Sequence, residues 1–182
     1  MKKKVLIGVG IFVVIVAAAF VYLNNRNRTM SPSGLAELTV GDLKVSIPYS
    51  RPSMRGRTIF GSDASKVLLP YGKYWRLGAN ETTQITFSKD VTFNGEPVKA
   101  GTYRIYAIPG EENFEVRLNS DISLWGYSEP DYSKDFIKTP VKANKTSSSV
   151  EQFTINLTEA DGGINMTVEW ADTQLVIPIK AQ

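Results

Sequence analysis

The sequence contains neither cysteine nor histidine. That double absence removes thiol and Ser-His-Asp nucleophiles, disulfides, acylation of a lipoprotein-type cysteine and the usual zinc sites. An exported domain must then hold together by its core alone, which is ordinary at this length. Acidic residues are missing from residues 1–28, where Lys2, Lys3, Lys4, Arg26 and Arg28 stand unopposed. Setting those five aside leaves 16 basic residues against 18 acidic ones, so the formal charge of +3 belongs to the amino-terminal segment. No nucleic-acid partner is expected.

Long apolar runs are limited to one. Val5 to Leu23 is 19 residues without a charge, a helix of about 28 Å against a hydrocarbon layer of about 30 Å. Residues 1–28 are therefore expected to form a single transmembrane anchor. Lys2 to Lys4 and the amino terminus outweigh Arg26 and Arg28, which puts the amino terminus in the cytoplasm and the remainder outside. Ala17-Ala18-Ala19 also fits a cleaved signal peptide, after which the domain would be secreted. Continuation of the apolar run through Phe20 to Leu23 favours the uncleaved anchor. Residues 29–34, with Pro and Gly among polar residues, read as a linker to a domain over 35–182.

That domain lacks any sustained helical period. Apolar residues alternate at Leu43 to Tyr49, Ile85 to Phe87, Tyr103 to Ala107 and Phe114 to Leu118, and again at Phe153 to Leu157, Ile164 to Trp170 and Leu175 to Ile179. Asn94-Gly95, Pro109-Gly110 and Asp161-Gly162-Gly163 mark reversals between them. Eight to ten short strands predict an all-β fold, an antiparallel β-sandwich with a jelly roll as the alternative. Pro178 in the last strand implies an edge position or an N–H with no ladder partner. Two stretches, Ser50 to Asn80 and Leu124 to Thr139, break the alternation and are expected to be irregular, and Lys142 to Ser149 reads as a mobile loop.

The runs Tyr49 to Gly61 (YSRPSMRGRTIFG), Leu68 to Ser88 (LLPYGKYWRLGANETTQITFS) and Phe93 to Gly110 (FNGEPVKAGTYRIYAIPG) resemble a bacterial family of exported domains of unknown function, numbered 2911. The resemblance implies a compact β domain attached to or released from the bacterial cell envelope. With the anchor uncleaved, that means a single pass of the cytoplasmic membrane and a periplasmic domain. It implies no activity, cofactor or catalytic residue.

Between Lys44 and Arg76 seven basic residues face one acid, Asp63. Arg51 continues the inward face of Leu43 to Tyr49, and an inward guanidinium is costly unless paired. Glu81, in Trp-Arg-Leu-Gly-Ala-Asn-Glu (75–81), is the expected partner. Tyr49, Arg51, Arg57, Trp75, Arg76, Asn80 and Glu81 form the candidate constellation. Two readings fit it: a structural network that pins the irregular loops, or a pocket in which arginines take a carboxylate, phosphate or sulfate against an aromatic wall. A small anionic or carbohydrate ligand, or an envelope protein, is the expected partner besides the membrane.

Neither a catalytic residue nor a metal site is assigned, and no cofactor is expected. Asp121, Glu129, Asp131 and Asp135 lack calcium-loop spacing and read as solvated loop acids. Trp125, Tyr127 and Tyr132 suggest a sugar platform, with packing against the domain the simpler expectation. The sequence thus points to a non-catalytic binding or scaffolding module. The alternative is a hydrolase of glycan or another envelope polymer, for which Glu81 and Asp63 are the one pair to nominate.

Overall fold

The computed structural model describes residues 2–122 and 125–182; Leu124, where the second irregular stretch is expected to begin, lies outside them, as does Met1. Helix α1 (Lys2–Met30) is apolar all round between Val5 and Leu23, and every side chain of that stretch is exposed rather than packed on the domain. A helix with no polar face and no protein partner needs an apolar solvent. Its length and composition suit a membrane span or a signal sequence. The helix runs two residues past the expected boundary, through Thr29 and Met30, and strand β1 starts at Ser33, so only Ser31-Pro32 connects the two.

Twelve strands follow. The first seven are β1 (Ser33–Val40), β2 (Leu43–Ser50), β3 (Thr58–Gly61), β4 (Val67–Pro70), β5 (Gln84–Phe87), β6 (Val91–Phe93) and β7 (Glu96–Val98). The rest are β8 (Gly101–Ile108), β9 (Asn113–Asn119), β10 (Asp135–Lys142), β11 (Asn144–Ala160) and β12 (Gly163–Ala181). A six-stranded sheet, β1-β2-β5-β8-β9-β10, and a four-stranded sheet, β11-β12-β6-β7, are antiparallel throughout. Their inner faces share one core, in which Val45, Ile47, Ile105, Val116, Phe153, Met166 and Ile177 are buried. Hairpin neighbours stay within one sheet, so the fold is a plain sandwich and not the double Greek key of a jelly roll.

Aromatic side chains fill one end of that core. Trp75 and Trp170 stack with centroids 6.1 Å apart, and Phe60, Phe114 and Phe153 meet Trp75 edge-on. Such arrangements suit the ring quadrupoles. Tyr49 reaches across the sandwich, donating its hydroxyl hydrogen to the Ile155 carbonyl (3.1 Å) and accepting the Ile155 N–H (3.0 Å).

Several expectations need correction. Ser50 to Asn80 contains β3 and β4, a short parallel pair on which Phe60 is carried into the core. Lys142 to Ser149 is mostly the start of β11, not a loop. The second irregular stretch ends early, because β10 begins at Asp135 and buries Ile137, Thr139 and Val141. Pro178 is not on an edge strand, since β12 lies between β11 and β6. It stands where the β11 ladder has already ended at Gln174 and the β6 ladder begins only at Ile179, so its missing N–H costs no ladder bond.

Candidate functional site

Strand β8 departs from simple alternation. Ile105 and Ala107 face the core, yet Arg104 and Tyr106 on the opposite face are equally buried. They are roofed by the segment after residue 124, which returns over the six-stranded sheet through Trp125 to Lys134. Gly126 makes that return possible. Its N–H donates to the Asn80 carbonyl at 3.0 Å, and a Cβ there would lie 2.6 Å from the Glu81 carbonyl oxygen. The Tyr74 hydroxyl donates to the Gly126 carbonyl at 3.0 Å, closing the loop onto the wall formed by residues 74–80.

Beneath this roof lies a polar network. The Tyr106 hydroxyl meets both Asp135 carboxylate oxygens at 2.7 Å, Arg117 Nη1 donates to the same group at 3.1 Å, and Asn119 Nδ2 donates at 2.7 Å. A bulge between Asp135 and Ile137 turns the carboxylate inward, so Asp135 is not a solvated loop acid. Burial and the Asp135 hydrogen bond push the Tyr106 phenol well up. Burial, with the hydrogen bond to Glu129, pushes Tyr132 up to about 12. Asp131 caps the short 3-10 turn by accepting from the Ser133 hydroxyl and amide. Among the described residues no group of three or more acidic side chains is arranged to hold a metal ion.

Arg104 stands at the edge of this network and, unlike Arg117, makes no ion pair with a carboxylate among the described residues. Its Nη2 donates to the Tyr74 hydroxyl (2.5 Å) and the Ser128 carbonyl (2.6 Å), while Nε and Nη1, both buried, have no partner among the described residues. Tyr74 and Ser128 in turn form part of the wall of a cleft of about 900 Å³ at the end of the sandwich. Trp75 and Trp170 line its base, and Trp75 Nε1, itself fully buried, has no partner among the described residues. Arg55, Arg57 and Arg76 supply its charge, and Trp125 and Tyr127, 50% and 76% exposed, supply its rim. Neither ring enters the core, although the Trp125 backbone bridges to Glu81, and Tyr132 does pack, against Tyr106 and Arg117. The Arg76 guanidinium lies 5.7 Å from the Tyr127 ring centroid. Burial, reinforced by Arg104 and partly offset by Tyr74 and Tyr127, holds Arg76 below the ordinary arginine value.

The constellation expected from the sequence divides. Arg57, Trp75, Arg76 and Asn80 share the cleft. Tyr49 and Glu81 line a separate, smaller depression, and Tyr49 is spent on the inter-sheet bond to β11. Arg51 is not paired with Glu81; it donates to the Phe153 carbonyl (3.3 Å) and the Thr154 hydroxyl (3.0 Å). Glu81 instead accepts from Arg28 of α1 at 2.7 Å, and Asp63 is held by Lys66 and Ser65. Arg57 steadies its own loop by donating to the carbonyls of Met54 and Ser53. Backbone strain gathers beside the cleft, with positive φ at Arg55, Leu77 and Asn80. Sequence reasoning missed Arg104 and Tyr74. The available signal was an arginine flanked by two tyrosines and isoleucine at the centre of an otherwise apolar strand, Thr102 to Ala107.

The fold and cleft define a two-sheet β domain carrying a basic, aromatic-rimmed cavity beside an amino-terminal apolar helix. The chain belongs to the family described as protein of unknown function (DUF2911), whose model matches residues 31–179. Comparison with curated proteins and with solved structures gave no match.

Proposed function

We propose that this protein is a non-catalytic binding module of the bacterial cell envelope, held at the outer face of the cytoplasmic membrane by α1, with the cleft as its ligand site. The observation that carries this reading is the lining of the cleft, where Arg55, Arg57 and Arg76 stand beside the Trp125 and Tyr127 rings. Indole and guanidinium groups donate and cannot accept. The guanidinium groups of Arg55, Arg57 and Arg76, which all line the cleft and of which Arg76 has no ion pair among the described residues, therefore call for a ligand rich in acceptor oxygens. A carboxylate, phosphate or sulfate provides them, and the Trp125 and Tyr127 rings suit an attached sugar or other flat body.

Hydrolysis by a carboxylate pair finds little support. Glycosidases need two such groups about 5 to 9 Å apart, whereas Glu129 is the one acidic residue lining the cleft, and Glu81 and Asp63 are engaged elsewhere. Membrane attachment rests on the length of α1 and the excess of lysine at its start. A thermal-shift screen of phosphorylated, sulfated and carboxylated sugars beside their neutral parents tests the binding reading. Anionic members are expected to raise the melting temperature of wild type, with the effect lost in Arg76→Gln. Equal stabilisation by the neutral parents, or none by any compound, would overturn it.

A further inference from the structure

The cleft opens where α1 meets the domain. Asn27 and Met30 of the last helical turns, with Ser31 of the connection, form one side of it. The apolar run ends at Leu23, and at ~1.5 Å per helical residue Asn27 lies about 6 Å and Met30 about 10 Å beyond that point. The polar layer on each side of a bilayer is of comparable depth, ~5–7 Å. With two residues of connection the domain has no room to stand away from the surface.

Three contacts fasten this junction to the cleft rim. Arg28 donates to Glu81 at 2.7 Å, Arg55 Nη2 to the Met30 carbonyl at 3.1 Å, and Asn80 Nδ2 to the Ser31 carbonyl at 3.3 Å. The side chains at the rim are of the kind that settle at a membrane interface: Trp125, Tyr127 and the exposed Leu68, with Arg55 and Arg57 beside them. Nearer the base come Arg76 and, behind Tyr74, the fully buried Arg104, which makes no ion pair among the described residues. Cationic charge in a low-dielectric wall projects into the nearest opening.

We propose that the ligand of the cleft is the phosphate headgroup of an anionic phospholipid in the same bilayer that holds α1. This deepens the binding reading above and rests on it and on α1 remaining attached. A phosphodiester presents acceptor oxygens and a negative charge, matching a lining in which the three guanidinium groups of Arg55, Arg57 and Arg76 outweigh the carboxylate of Glu129. Its acyl chains remain in the membrane, beside the rim residues Leu68, Trp125 and Tyr127. The protein then lies down on the surface through its cleft and samples the lipid composition around its own anchor.

The test uses the full chain in nanodiscs of phosphatidylcholine with and without phosphatidylglycerol. Trp75 and Trp170 are 3% and 2% exposed, so quenching of tryptophan fluorescence by neutral acrylamide reports on Trp125. Quenching is expected to fall severalfold in phosphatidylglycerol discs. In Arg55→Gln/Arg57→Gln, two exposed positions whose change leaves the core intact, the docked-to-free ratio drops about twenty-five-fold, at roughly fivefold per basic residue near an anionic surface. A second arm titrates soluble glycerol phosphate into phosphatidylcholine discs. Protection by glycerol phosphate there, with no effect of lipid composition, overturns the lipid assignment and leaves the anion-binding reading standing. Protection by neither source overturns both. A mature protein whose mass shows loss of the apolar segment overturns the lipid assignment alone.

Discussion

Asp135 has no exposed side-chain surface, and it stays buried because three donors, the Tyr106 hydroxyl shared between both oxygens, Arg117 Nη1 and Asn119 Nδ2, converge on its carboxylate. Desolvating a carboxylate costs several kcal/mol unless its lone pairs are filled. Removing the charge strands Arg117 with Glu115 alone. Asp135→Asn is therefore expected to lose about 3 kcal/mol of stability, whereas Lys138→Ala, whose half-exposed amine stands 3.9 Å away, loses less than about 1 kcal/mol. Urea midpoints for the two variants measure the difference; equal, small losses would mean the network is not what holds the outer face of the sheet. None of this is visible in the sequence, where Asp135 is one acid among several near Tyr132. Arg51 shows the converse. Its inward parity is legible, but two backbone and hydroxyl acceptors on β11 satisfy it, and no spacing rule reveals partners a hundred residues away.

At the scale of elements, legibility follows the locality of the signal. The Asn94-Gly95 hairpin is readable because a tight turn between β6 and β7 demands positive φ at both residues, and both have it, at 50° and 89°. Strand β10 is not. It pairs only with β9, and the Pro140, Lys138 and Lys142 that blur its pattern face outward, as suits an edge protected from further pairing. The return of the Trp125 to Lys134 segment over β8 is also silent in sequence, because it depends on Gly126 lying against the backbone of residues 80 and 81. Adding a methyl group there meets carbonyl oxygens that cannot swing aside. Gly126→Ala is expected to cost about 2 kcal/mol and to increase acrylamide quenching of Trp125, since the loop must lift. Unchanged denaturation and quenching would show that the loop is not clamped at this point.

For the whole molecule, the absence of histidine and cysteine has a thermodynamic consequence. No side chain of ordinary pKa titrates between about pH 5 and 8, so the melting temperature should be flat across that range. Hydrogen bonds from Ser65 and Lys66 hold Asp63 below the ordinary carboxylate value, and those from Ser133 and Lys145 do the same for Asp131 and Asp172. Such lowered groups lend stability that is present above about pH 4 and lost as pH falls through their folded-state values. Tyr74 and Tyr106 are raised, and Tyr132 is raised from 10.0 to about 12, so their contribution is complete below pH 10.0 and fades as pH climbs to about 12. Circular dichroism melts from acid to alkali check both edges, and a step between pH 5 and 8 would contradict the assignment. The segregation of charge is legible in the sequence, as is the basic segment before Trp75. Its convergence with Trp125 and Tyr127 into one cleft beside α1 requires the fold. The most direct test lies at the rim of that cleft, among the indole N–H signals of the protein's three tryptophans. On titration with a phosphate ester, the signal of Trp125, half-exposed at the rim, is expected to shift and saturate, while that of Trp170, buried and already bonded to the Glu151 carbonyl at 3.3 Å, stays in place. A Trp125 signal that does not move while the ligand is bound would contradict the account.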